Sequence, residues 1–136
     1  GLFTSVLARW AVCRPMEQRV REAYLLPYRA PQDRTGLLRF VQDIPLQPGD
    51  ASYDLVSEVQ AKLPTFRQTP TLILWGDRDF VFDHHFLREW QNFLPAAEVH
   101  HFPNAGHYVL EDAGTEILPL VEDFFQRHPP HFPSRA

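Results

Sequence analysis

Residues 71–86 read "TLILWGDRDFVFDHHF", and residues 101–112 read "HFPNAGHYVLED". Thr71 to Trp75 is a short apolar run with no polar alternation, the pattern of a strand buried on both faces. It stops at Gly76, and Asp77 and Asp79 follow at once. A second short strand, "AEVHHF" at 97–102, runs into the turn "PNAGH", which carries His107. Between the strands, Asp83 is placed to cap a helix with Phe86, Leu87, Trp90, Phe93 and Leu94 on one face. From Thr115, the residues Ile117, Leu118, Leu120, Val121, Phe124 and Phe125 define a closing helix, in which Pro119 is tolerable only near the start. Strand, helix, strand, helix predicts neighbouring parallel strands with helices on the faces of the sheet.

The chain upstream follows a different pattern. Leu2, Phe3, Val6, Leu7, Trp10 and Ala11 recur at helical spacing, which predicts a helix over 2–12. Arg14-Pro15 interrupts it, and Glu17 to Leu26 forms a second helix ending before Pro27. A third lies within "APQDRTGLLRFVQDIP", with Leu37, Leu38 and Val41 turned inward. "PLQPGDASYD" is rich in turn formers, and a fourth helix covers Tyr53 to Leu63, capped by Asp50 or Ser52. The expected organisation is helical over 1–64, α/β over 65–128, and a flexible tail over 129–136 with three prolines.

In open parallel sheets, ligands sit beyond the carboxyl ends of the strands. "GDRD" and "NAGH" both occupy that place on strands expected to be neighbours. A carboxylate on one loop can then reach a histidine on the next, fix its tautomer and stabilise the imidazolium. Asp77 and Asp79 are both candidates for that partnership with His107, since Asp83 is better placed as the helix cap. The other histidines offer less. His100 and His101 point to opposite faces of a strand. His84 and His85 open a helix about 100° apart, with no third ligand evident, so no metal site is expected.

Composition narrows the function classes. The chain has 136 residues, 44% hydrophobic and 22% charged, with a net charge of −4. It can bury a core, and it has no basic footprint for nucleic acid. The single cysteine, Cys13, excludes an internal disulfide and fits a reducing compartment. The first apolar stretch is broken by Arg9, is too short for a membrane span and lacks a signal-peptide pattern. A cytoplasmic protein with no cofactor is expected. The opening glycine hints that the chain is a piece of something longer.

A nucleophile elbow needs two glycines four residues apart around a Ser, Asp or Cys, because small residues must flank its strained turn. The glycines stand at 1, 36, 49, 76, 106 and 114, and no two have that spacing. If Asp and His serve in the order nucleophile, acid, histidine, the nucleophile lies upstream of residue 1.

"PTLILWGDRDFVF" followed by "FLPAAEVHHFPNAGHYVLEDAGTEILPLVEDFF" resembles the C-terminal part of α/β-hydrolase-fold enzymes of the haloalkane dehalogenase and epoxide hydrolase group. "REAYLLPYRAPQDRTGLLRFVQDIPL" resembles the end of their helical cap and the return to the core. "RFVQDIPL" and "AGHYVLED" resemble most the dehalogenase-like β-lactone decarboxylases of long-chain olefin biosynthesis. The resemblance implies an α/β fold, namely the last parallel strands and helices of a hydrolase core preceded by cap segments. It implies Asp79 as the acid, since the acid is the fourth residue of the family's Gly-x-x-Asp motif, and His107 as the base. It also implies a covalent ester intermediate, a small apolar substrate, and an N-terminal half of the core as partner. Phe80, Val81, Phe82, Trp10 and Tyr108 are candidates to line the pocket. Two further readings compete: a non-catalytic module that keeps half of a hydrolase fold for binding, and a small metalloprotein using the histidine pairs.

Overall fold

The computed structural model describes residues 11–130, helical in their first half and α/β in their second. The helix expected over 2–12, with Trp10, falls almost wholly outside the described residues, as does the tail from 131 onward. The first half holds α1 (Gln18–Leu25), α2 (Thr35–Gln42) and α3 (Tyr53–Lys62). Short 3-10 turns at Leu26–Tyr28, Pro31–Arg34 and Leu63–Phe66 flank them, each with a proline in its first two positions. Proline lacks an N–H and fixes φ, so the chain breaks into tight turns there instead of extending one helix.

Several local expectations change in this half. Leu38 and Val41 are exposed at 57% and 48%, although their spacing marks them as inward. None of α1, α2 and α3 contains a buried residue, so their apolar stripes are at most partly covered by the described residues. Asp50 does not cap α3; its Oδ2 accepts from the N–H groups of Leu46 and Gln47 at 2.8 and 3.0 Å and closes the loop before it. Ser52 holds the cap position, yet its hydroxyl donates to Asp43 instead.

The second half runs β1 (Leu72–Gly76), α4 (His84–Phe93), β2 (Glu98–Phe102) and α5 (Val109–Arg127). The strands pair in parallel, from Leu72 opposite Glu98 to Gly76 opposite Phe102. That register brings both carboxyl ends level. β1 is only half-buried over Leu72–Trp75, because β2 is its one strand neighbour among the described residues. The core consists of Phe102, Ala105, Ala113 and Ile117, with Leu74, Val109, Leu120 and Val121 packed against it. Phe86 and Trp90 are exposed where an inward face was expected, and Leu87 alone of α4 is buried.

The closing helix begins at Val109, six residues ahead of Thr115, and bends at Ala113, whose φ of −131° is non-helical. Pro119 falls beyond that bend and costs α5 one backbone hydrogen bond. Among the described residues, no helix is long and apolar enough to cross a membrane.

Gly76 ends β1 against the turn that follows β2. A Cβ there would collide with the carbonyl oxygen of Gly106 and stand 2.7 Å from that of Ala105, whereas one on Gly114 would meet nothing within 4 Å. Gly76→Ala is therefore expected to cost about 2 kcal/mol or more, and Gly114→Ala to gain about 0.5–1 kcal/mol from helix propensity. Urea unfolding of both variants checks this contrast, and similar midpoints would contradict it.

Candidate active site

The turn after β1 is sewn to the end of β2. The N–H of Asp77 donates to Phe102 O at 3.1 Å, that of Arg78 to Ala105 O at 3.0 Å, and that of Asp79 to Gly76 O at 3.1 Å. Asp79 is thus presented across the gap towards the 103–107 turn. Its Oδ1 accepts from the backbone N–H groups of Val81 and Phe82 at 2.8 and 2.9 Å, which fixes the plane of the carboxylate. His107 Nδ1 lies 2.9 Å from Asp79 Oδ2 and 3.1 Å from Oδ1. The side chains are 26% and 11% exposed, so the contact is largely shielded from water. A carboxylate at Nδ1 favours the tautomer that carries its proton there and leaves Nε2 as the basic nitrogen.

Asp77 does not reach His107. Its Oδ1 lies 2.8 Å from His101 Nδ1, in a second, exposed carboxylate–imidazole pair. Of the pocket candidates, Phe82 and Tyr108 flank the His107 ring, at centroid distances of 5.4 and 5.7 Å. Phe80 and Val81 are exposed, and Val81 contributes through its backbone N–H. His100, the middle residue of β2, pairs with Glu98 and not with Asp79 or His107. Glu98 accepts there from Arg127 at 2.7 Å and meets His100 at 2.7 Å. These two partners, His100 first, hold the Glu98 carboxyl below its usual range.

Asp83 caps α4, accepting from the His85 N–H at 2.9 Å. That bond and a contact with the His85 ring lower its pKa. Asp83, His84 and His85 place one potential ligand atom each within 4.8 Å of one another, so Asp83 is a third group beside the two histidines that could face an ion. All three are exposed, and the N-terminus of a helix is the positive end of its dipole, which disfavours a cation.

Sequence reasoning also missed Asp112. It is 4% exposed, and its carboxylate accepts from Gly106 N–H at 2.8 Å, Arg14 N–H at 2.8 Å and Cys13 N–H at 2.8 and 3.0 Å. In the sequence it is one acidic residue ahead of the helix expected from Thr115, with nothing local to set it apart. Only the return of residues 11–14 to this turn shows its role.

Beside it, Tyr24 of α1 stacks on Tyr108, with ring centroids 5.4 Å apart and planes at 11°. The Tyr24 hydroxyl donates to Glu111 Oε1 at 2.7 Å. That bond first, then burial and the Glu111 charge, push the Tyr24 pKa from 10.0 up to about 12. The folded chain therefore holds this proton more tightly than the unfolded one. The resulting stability is complete below pH 10.0 and fades as pH rises through about 12. Tyr24→Phe is expected to be less stable than the parent at neutral pH, with the gap closing across that alkaline window. Phenolate absorbance and thermal unfolding against pH measure both parts.

The pattern of the alpha/beta hydrolase fold matches residues 10–114. The chain is 50% identical over 123 residues to a cis-3-alkyl-4-alkyloxetan-2-one decarboxylase of Shewanella oneidensis, covering 90% of this chain and 39% of that protein. It is 42% identical over 127 residues to the enzyme of the same name from Xanthomonas campestris pv. campestris, covering 93% and 42%. It thus spans about two fifths of the length of these curated relatives. Its backbone superposes on the haloalkane dehalogenase DatA of Agrobacterium tumefaciens C58 with a TM-score of 0.75 at 21% identity, covering 92% of this chain and 43% of that one, a likeness of fold. With sequence and backbone agreeing over most of its length, the chain belongs to the α/β-hydrolase fold family.

Proposed function

We propose that Asp79 and His107 are the acid and base of a site that works through a covalent ester, with the nucleophile on a part of the protein upstream of residue 1. The observation that carries this reading is the 2.9 Å contact between His107 Nδ1 and an Asp79 carboxylate already held by two backbone N–H groups. An upstream carboxylate attacks an electrophilic carbon of a small apolar substrate. As the ester C–O bond forms, a carbon–halogen or strained ring C–O bond breaks, and halide or ring carboxylate leaves with the electron pair. His107 Nε2 then takes a proton from water as the water adds to the ester carbonyl. Collapse of that adduct releases the alcohol and restores the carboxylate. Asp79 keeps the ring oriented and stabilises the imidazolium. Phe82 and Tyr108, which flank the ring, form part of an apolar wall for the substrate.

A β-lactone opens a second outcome at the same ester. Opening its ring at the alkyl carbon leaves a carboxylate β to the new ester oxygen. Loss of carbon dioxide turns that C–C electron pair into a C=C bond and expels the enzyme carboxylate, giving an alkene without consuming water. Identities of 50% and 42% to two oxetan-2-one decarboxylases favour this substrate class.

The test uses the intact protein that carries this chain. With a 1-bromoalkane, His107→Gln is expected to stop at the ester, seen as a mass gain equal to the alkyl group less the hydrogen it replaces. Asp79→Asn is expected to lower turnover by roughly 10³–10⁴-fold. With a cis-3,4-dialkyloxetan-2-one, the parent should give alkene and carbon dioxide; release of the β-hydroxy acid would assign hydrolysis instead. Undiminished turnover of the 1-bromoalkane by His107→Gln sinks the reading.

A further inference from the structure

We infer that Asp112 is a positioning residue for His107, holding the backbone on both sides of it; the inference rests on the reading of His107 as the base. Gly106, immediately before His107, donates its N–H to Asp112 Oδ2 at 2.8 Å. Tyr108, immediately after it, donates its N–H to Ala11 O at 2.9 Å. Ala11 is in turn held by Asp112, because the N–H groups of Cys13 and Arg14 next along the chain converge on the same carboxylate. The Asp112 N–H donates back to Tyr108 O at 3.2 Å. The backbone on either side of the imidazole therefore belongs to a closed ring of hydrogen bonds whose only side-chain member is Asp112.

Asp112 makes no hydrogen bond to His107's ring or to Asp79, so it acts through the backbone and takes no part in proton transfer. A carboxylate suits the position because both of its oxygens accept and neither donates. An amide would keep one acceptor and turn an N–H₂ against a backbone donor. The joint is also tight. A Cβ on Gly106 would stand 2.9 Å from Ala11 O and 3.5 Å from Cys13 Sγ. Residues 11–14 lead into α1, whose Tyr24 stacks on Tyr108. The same joint thus ties the helical half of the chain to the base.

The experiment assays Asp112→Asn in the intact protein, well below its Tm, with a 1-bromoalkane as probe, because hydrolysis of the alkyl ester is the step that needs His107 as base. The expected result is a kcat lower by about 10–100-fold with KM changed by less than about threefold, because a misplaced base slows chemistry more than binding. In proton NMR, the downfield resonance of the His107 Nδ1 proton bound to Asp79 should broaden or move. A role in stability alone would lower Tm and leave both kcat and that resonance as they are. Gly106→Ala presses on the same joint through Ala11 O with the buried charge intact, and the same split is expected of it. The parent protein supplies a measurement that needs no variant. Protection of the Gly106 amide and of the His107 Nδ1 proton against exchange should be lost in one opening event. Unchanged kcat and resonance in a folded variant, or independent exchange of the two protons, overturns the inference. The His107→Gln control separates the two failures. If that variant turns the probe over like the parent, the reading of His107 is what fails; if it is inactive while Asp112→Asn behaves like the parent, only the role of Asp112 falls.

Discussion

A carboxylate with almost no exposure to water must have its charge satisfied from within, and at Asp112 backbone N–H groups do this. Three residues donate to it: Gly106 from the turn after β2, and Cys13 and Arg14 from the segment before α1. Segments nearly a hundred residues apart are thereby joined at one side chain. The Gly106 bond is the most deeply buried of the set, so its donor is the one water could least replace. A stranded buried donor costs roughly 1–3 kcal/mol, comparable to the transfer energy of burying a large apolar side chain. Much of the remaining geometry depends on this one joint.

The sheet supplies the complementary constraint. Parallel pairing with Gly76 opposite Phe102 puts the two carboxyl ends level, so the loops that follow have to share one small space. Room exists only because β1 ends in glycine and the opposing turn contains Ala105 and Gly106. The backbone N–H groups of Asp77 and Arg78 then pair with Phe102 and Ala105, and Asp79 is delivered to His107 with its carboxylate already oriented. The acid–imidazole contact follows from close backbone approach, and two side chains on looser loops would not hold 2.9 Å so definitely.

The α/β half was largely legible in the sequence because its signals are local. An apolar run ending in Gly-Asp, a capping Asp83 and a periodic helix each have their cause within a few residues. The pairing of a loop aspartate with His107 was legible as well, and geometry selects Asp79 where spacing left Asp77 open. What stayed hidden depends on contacts distant along the chain. Val109 to Gly114 did not read as helix, and Asp112 within it is committed to residues 13 and 14, far away along the chain. The inward faces assigned to Leu38, Val41, Phe86 and Trp90 came from periodicity, which tells which side of a helix is apolar and not what covers it. Asp83 was legible as the cap of α4, but its approach to the His84 and His85 rings comes from the folded turn and not from spacing along the helix.

Those uncovered faces and the proposed chemistry bear on the same question. Phe80, Phe82 and Phe86 are exposed around the Asp79 loop, while Leu38, Phe40, Leu55, Val59 and Phe66 are exposed along the helical half. Soluble chains rarely leave so many large apolar side chains in water unless a partner surface covers them. β1 has β2 on one edge, and among the described residues its other edge pairs with no strand. A parallel edge left open in this way is a template for a further strand. Further parallel strand laid against β1 would close that edge. On the function proposed above, the ester that His107 Nε2 acts on likewise has to be brought within reach of that nitrogen. The exposed apolar faces and the open edge of β1 are thus the packing counterpart of the proposed chemistry, since both leave the same region of the chain to be completed.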